Sequence, residues 1–403
     1  MNIINQTINT HKGRKNSNSI KIPEFVLAIL PIFSPYILLG PISVNMILLC
    51  IATVLVLVLN SRFSINRHIS YLWLLHFFLS ILAFFSTDYN IALFNSMLSI
   101  SYSIICFSVL WSRCNIKVFE KYANYIGIGC CLFLFYQAVQ LALGGEPPSG
   151  QLFNLPLLHY AGWVSETWGF RLNSVFQEPS YFAIFCLPLL AVNMQLKNYI
   201  LSTIYILALT LSSSSLGILG ALIIVVYYFL AEKRELKQSV LIILCILVVH
   251  ILFFYVSDYY NTAFERSLDK VLSIFDGNDS VNIRILGQIY LFESLPEFNQ
   301  IFGVGVSQMK NYFASIGVNV FNYSNSFIAT LINTGIVGLM FYIVFHMVTT
   351  YYCYKRGRLI FDLIFVMICA IDQFIYNFFF FYLLTFIYLS NEESSDENFI
   401  CNT

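Results

Sequence analysis

An all-α polytopic integral membrane protein, with about 12 transmembrane helices and two long outer loops, is the architecture expected of this 403-residue chain. Three observations lead there. Only 10% of the residues are charged, against about 25% in a soluble domain. Hydrophobic residues make up 58% and the mean hydropathy is +0.75, so the surface such a chain builds is matched to lipid. The apolar residues also fall into runs long enough to cross a bilayer, which takes about 20 residues because each spanning segment must satisfy its own backbone.

The runs at 23–40, 42–60, 70–86, 91–111, 122–143, 179–195, 198–212, 214–231, 238–257, 325–350, 359–372 and 373–390 are the expected spans. The stretch 359–390 reads either as one long helix or as two short ones that break near Asp372 and Gln373. Residues 1–22 are polar and basic, have no apolar signal core, and are expected to be a cytoplasmic tail. Residues 23–390 form the membrane domain, and the acidic stretch 391–403 is expected to be a second cytoplasmic tail.

Charge placement supports this order. With the start inside and strict alternation, the outer segments hold Arg171, Arg266, Lys270, Arg284 and Lys310, and all the other Lys and Arg of the 21 fall inside. That is the positive-inside pattern. Acidic residues also number 21, so the net charge is zero and no basic field calls for nucleic acid. Nearly all of the ten cysteines lie in or beside apolar runs, an arrangement that fits neither a disulfide framework nor a CxxC metal site.

Two outer segments are long, at about 144–178 and 258–323. Loops carry function while packed helices serve as scaffold, so a site is expected where these two meet. The first contains Arg171-Leu-Asn-Ser-Val-Phe-Gln-Glu178, followed by Pro179-Ser180. Proline suits the first helical turn, which puts Glu178 at a helix N-terminus, where the dipole favours an anion. A capping carboxylate and an arginine reaching lipid phosphate explain the same residues equally well.

Three further stretches stand out. Thr210 to Gly220, rich in serine and including Ser215, falls in a short turn between spans, where small hydroxyl residues usually serve tight packing. Arg284 has no acidic neighbour within four residues and precedes Gly303-Val304-Gly305, whose glycines permit a tight turn. An arginine of this kind suits an anionic ligand, or lipid headgroups. The stretch 324–342 opens with Ser324-Asn325-Ser326 and carries Gly335 and Gly338. His159 lies in the first long loop and is a candidate for the same site, whereas His76, His250 and His346 read as packing residues. Asp362 and Asp372 are carboxylates within apolar runs, which need a pairing partner or an ion path.

These stretches, in this order, resemble the Wzy-type O-antigen and capsular polysaccharide polymerases and the related O-antigen ligases. The resembling segments run from about 170 to 345: RLNSVFQEPSYFA, the serine turn with Ser215-Leu216-Gly217, Arg284, IFGVG and NSFIATLINTGIVGL. The resemblance implies an inverting, metal-independent glycosyltransferase of the bacterial inner membrane, with no cofactor and with both termini cytoplasmic. Its donor would be a glycan on undecaprenyl pyrophosphate, its acceptor a sugar hydroxyl of another lipid-linked unit. A chain-length regulator and a flippase are partners implied in the same way.

Arg171, Arg284 and Glu178 are the catalytic candidates. The arginines can stabilise charge developing on a pyrophosphate leaving group. Glu178 either accepts the acceptor's proton or orients Arg171. Ser215, Asn325 and His159 are the substrate-binding candidates. Family members often carry a histidine before the asparagine that opens the late span. Ser324 stands there, which leaves Glu178, His159 or no residue as the base. Two rival functions remain: an O-antigen ligase that transfers glycan to lipid A core, and a secondary transporter, for which Asp362 and Asp372 are the supporting features.

Overall fold

The structure, a computed structural model, describes residues 21–39, 42–59, 66–85, 90–157, 172–231, 265, 269, 288–318 and 324–389. Their order is α1 (Ile22–Phe33), a hairpin of β1 (Ile37–Leu39) and β2 (Ile42–Ser43), α2 (Val44–Leu59), α3 (Arg67–Phe84), α4 (Asn90–Trp111), α5 (Ile116–Ala142), α6 (Pro179–Gln195), α7 (Tyr199–Leu211), α8 (Ser215–Ala231), two short helices α9 (Glu297–Phe302) and α10 (Met309–Ser315), then α11 (Ser326–Lys355), α12 (Leu359–Ile371) and α13 (Phe378–Tyr388). The expected span 238–257 and both expected tails, apart from residues 21 and 22, lie outside the described residues.

α3, α4, α5 and α11 are each long and apolar enough to cross a membrane, and α1, α2, α6, α7, α8, α12 and α13 are shorter apolar helices. Their packing shows why the composition is so apolar. In α6 every residue from Phe182 to Met194 is buried, and in α13 every residue from Phe379 to Ile387 is. A helix that is apolar all round belongs inside a bundle. α4, α5 and α11 wrap this centre and expose Ile105, Leu132, Tyr136, Met340 and Met347 on their outer sides. Those are lipid-facing positions.

One expectation is revised and one open alternative is resolved. α1 ends at Phe33, not near residue 40, because the chain turns into the hairpin. Pro35 has no N–H to extend the helical ladder, and the Ile37 amide donates instead to the Pro156 carbonyl, 2.8 Å away. The Tyr36 hydroxyl accepts from the Leu152 amide at 2.8 Å, so the hairpin is pinned to the first long loop. The ambiguous stretch 359–390 is two helices, separated at 372–377, with Tyr376 in a left-handed conformation (φ 62).

The bundle has two distinct ends. At one, Arg358 pairs with Glu120 at 3.6 Å, and Arg113, Lys197 and Arg356 lie in connections at this end, with Lys117 and Lys355 in the adjoining turns of α5 and α11. At the other, the hairpin, the first long loop, the serine turn and the 372–377 break come together with the starts of α6, α8, α11 and α13. This second end, the loop end, carries Lys310 among the described basic residues.

Candidate functional site

The stretch after Arg171 is a buried wedge. Leu172 through Gln177 are all buried, and Phe176 packs against Phe182, Phe185 and Phe379. Gln137 of α5 fixes the wedge from below: its Nε2 donates to the Pro148 and Ser174 carbonyls at 2.9 and 3.3 Å, and its Oε1 accepts from the Ser174 amide at 2.9 Å. One glutamine thereby ties together both ends of the first long loop. Ser174, at φ 54, also donates its hydroxyl to the Cys130 carbonyl.

The wedge delivers Glu178 to the N-cap of α6, with Pro179 in the first turn as expected. The Glu178 carboxylate does not cap the helix. It is exposed and accepts a hydrogen bond from the Ser180 hydroxyl at 3.2 Å. An exposed carboxylate in this place remains available to a substrate, which a capping carboxylate would not be.

Tyr181, one residue further, lies within electrostatic reach of both Glu178 and Asp372, and its ring stacks on Phe379 at 5.1 Å. The 372–377 break is thus part of the same surface. It is held to the start of α11 by three bonds. The Ser326 hydroxyl donates to the Asp372 carbonyl at 2.7 Å and accepts from the Phe374 amide at 3.2 Å. The Ser324 hydroxyl donates to Gln373 Oε1 at 3.0 Å. Asn325 Oδ1 caps α11 by accepting from the Ile328 amide at 2.9 Å. Ser324, in the position where a base was sought, is a buried hydrogen-bonding residue.

The second long loop docks on the same helix. Gly303, Val304 and Gly305 cross α11 where it is interrupted at Gly335 (φ 69, ψ −173). The interruption leaves carbonyls without helical partners, and a buried polar group must find another. The Val304 and Gly305 amides take those of Ile332 and Asn333, at 3.1 and 2.8 Å. Asn333 Oδ1 accepts from the Gln308 and Met309 amides at the start of α10. A small second core of Leu295, Val304, Met309, Phe313, Ile328 and Ile332 completes the joint.

The serine turn is mostly scaffold. Ser212, Ser213 and Ser214 are buried, the Ser212 hydroxyl donates to the Leu209 carbonyl, and Ser214 Oγ caps α8 at the Gly217 amide. Ser215 is half-buried at the first position of α8, whose Gly217 lies against Ala183 of α6.

Glu178 and Asn325 are therefore brought to one surface through Tyr181, Asp372 and Ser326, with Ser215 on the other flank of α6. Arg171, Arg284 and His159 lie outside the described residues; Arg171 directly precedes the wedge in sequence. Asp372, Gln373 and Tyr181 were not foreseen as site residues. The only hint of the first two was a polar pair inside an apolar run. Asp362 lies elsewhere, buried in α12, with Oδ2 accepting from Thr350 at 2.7 Å.

A helical membrane protein with a polar surface built from helix starts and two long loops is the class these features define. Residues 200–343 match the family model described as O-antigen ligase, which agrees with the Wzy-type and O-antigen ligase superfamily. The match spans α7, α8, the Gly303–Gly305 crossing and the first half of α11. No curated protein matches the chain. The match supports a membrane glycosyltransferase activity of the ligase or polymerase type, on lipid-linked glycans.

Proposed function

We propose that the protein polymerises undecaprenyl-pyrophosphate-linked oligosaccharide units into O-antigen or capsular polysaccharide at the periplasmic face of the bacterial inner membrane. The observation that carries this reading is the exposed Glu178 carboxylate. It is set at the start of α6 by a rigid wedge, next to the surface where α11 and the 372–377 break meet.

In the proposed reaction an acceptor sugar hydroxyl attacks the anomeric carbon of the donor glycan. The new C–O bond forms as the bond from that carbon to the phosphate oxygen breaks, and configuration inverts. Undecaprenyl pyrophosphate leaves with the electron pair. Glu178 takes the hydroxyl proton. Arg171 and Arg284, one from each long loop, hold the pyrophosphate oxygens by charge-assisted bonds and stabilise the charge that grows there, with no metal required. Asn325, Ser215 and His159 contact the glycan. A chain-length regulator and a flippase would act beside it.

The test uses a host that builds the lipid-linked unit but lacks its own polymerase. Wild-type protein should give a ladder of repeats on a gel. Arg171→Ala and Arg284→Ala, at matched membrane levels, should each collapse it to single units. Ladders that persist in both variants would sink the arginine pair. Preformed polymer moved onto lipid A core, without new polymerisation, would establish the ligase.

A further inference from the structure

Three irregular backbones meet at the loop end: the Gly303–Gly305 crossing, the α11 interruption and the 372–377 break. One face of α3 touches all three. His76 is 1% exposed there, and both of its ring nitrogens are engaged. Nε2 lies 3.2 Å from the Gly338 carbonyl of α11, and Nδ1 lies 2.8 Å from the Tyr376 hydroxyl. A carbonyl only accepts, so Nε2 carries the hydrogen. Nδ1 of the neutral ring then accepts from Tyr376. One turn along, the Ser80 hydroxyl donates to the His76 carbonyl at 2.7 Å and accepts from the Val306 amide at 3.1 Å.

Tyr376 needs such an anchor. It is a large residue with φ 62, a conformation that costs of the order of 1–3 kcal/mol unless its surroundings enforce it. Its ring packs edge-on against Trp73 at 5.3 Å and near Phe380 at 5.7 Å, and its hydroxyl ends on His76. Three residues before it stands Gln373, the partner of Ser324. One before that is Asp372, whose carbonyl receives Ser326.

We infer that His76 is a positioning residue for the loop-end site: through Tyr376 it sets where Asp372 and Gln373 stand against the start of α11. This rests on the reading of that end as the glycosyl-transfer site. The imidazole serves as a rigid spacer with one donor and one acceptor, not as a proton carrier.

Three variants test it. His76→Gln keeps a donor and an acceptor, His76→Leu keeps neither, and Tyr376→Phe removes only the hydroxyl. The first readout needs no activity. Ser324→Cys and Gln373→Cys are introduced together in each background, and their linkage by a short bifunctional thiol reagent in membranes is followed by mass spectrometry. His76→Leu and Tyr376→Phe should slow linkage about fivefold, the worth of one hydrogen bond, and His76→Gln should restore it. The second readout, with native Ser324 and Gln373, is turnover of the lipid-linked donor. In the Leu and Phe variants kcat should fall about tenfold with KM unchanged, and Gln should recover it.

Unchanged linkage in both His76→Leu and Tyr376→Phe would overturn the inference. So would His76→Gln behaving like His76→Leu in both readouts, which would mean that the ring or its proton is needed. A wild-type protein that makes no ladder counts against the polymerase, while the linkage rates still decide whether His76 holds the break in place.

Discussion

Gly303 and Gly335 interlock. A Cβ on Gly303 would lie 2.3 Å from the Asn333 carbonyl oxygen, and one on Gly335 would lie 2.2 Å from that of Ile301. Both are in left-handed backbone, at φ 84 and φ 69. Each glycine therefore occupies space that the other's strand of backbone closes. The contact lets the second long loop cross α11 at its interruption and supply the amides that the interrupted helix lacks.

Alanine at either glycine should destabilise the protein by at least about 3 kcal/mol, since backbone on both sides must move and the left-handed conformation becomes strained. Gly303→Ala and Gly335→Ala should each lower the yield of monodisperse protein in detergent and its melting temperature. The double variant should cost less than the sum, because one contact is being removed twice. Additive losses would show that the two glycines act in separate places.

Gln137 makes a second prediction. It satisfies Pro148 and Ser174 at once, so Gln137→Leu leaves three backbone groups without their partner. Each buried group left unpaired costs about 1–3 kcal/mol. The first long loop should come loose from α5 and be cut by protease added at the loop end, at rates where the wild type resists. Wild-type resistance in Gln137→Leu would mean that the wedge is held by its aromatic packing alone.

Much of this architecture could be read from residue order. Apolar runs located the described apolar helices, though α1 ends well short of residue 40 and the short α9 and α10 fall in a stretch that reads as loop, because lipid forces each span, but not a loop, to satisfy its own backbone. Pro179 announced the start of α6, and the pair Gly303 and Gly305 announced a turn. The partner of that turn was not legible: Gly335 reads as a small residue for helix packing, and only tertiary contact shows that α11 is interrupted there. Asp372 and Gln373 were unreadable as site residues for the same reason, since their neighbours Ser324 and Ser326 are nearly 50 positions away. The hairpin is not legible because the apolar run Tyr36-Ile37-Leu38-Leu39 after Pro35 looks like the end of a span.

Orientation gives a third prediction. Glu146 and Lys197 are exposed at opposite ends of the bundle. With basic connections inside, the loop end is expected to face the periplasm. A membrane-impermeant maleimide should label Glu146→Cys in cells with only the outer membrane opened, and Lys197→Cys only after the inner membrane is breached. The reverse pattern would invert the topology and remove the periplasmic site.

Glu178 and Ser324 test the chemistry most directly, because Glu178 is the proposed base and Ser324 stands where the resembling family often carries a histidine. Glu178 is exposed, and among the described residues its carboxylate accepts from the Ser180 hydroxyl. Ser324 is buried and commits its hydroxyl to Gln373. General-base catalysis contributes roughly a hundredfold or more. Glu178→Gln keeps the shape and the Ser180 contact but cannot take a proton, so it should reduce turnover by about that factor without raising KM. Ser324→Ala loses one neutral hydrogen bond, worth about 1 kcal/mol, so turnover should fall less than about tenfold. Rates measured with purified protein and a lipid-linked donor decide the matter. Equal, small losses in both variants would remove Glu178 as base and leave the arginines as the sole catalytic device. A large loss in Ser324→Ala alone would move the chemistry to the start of α11.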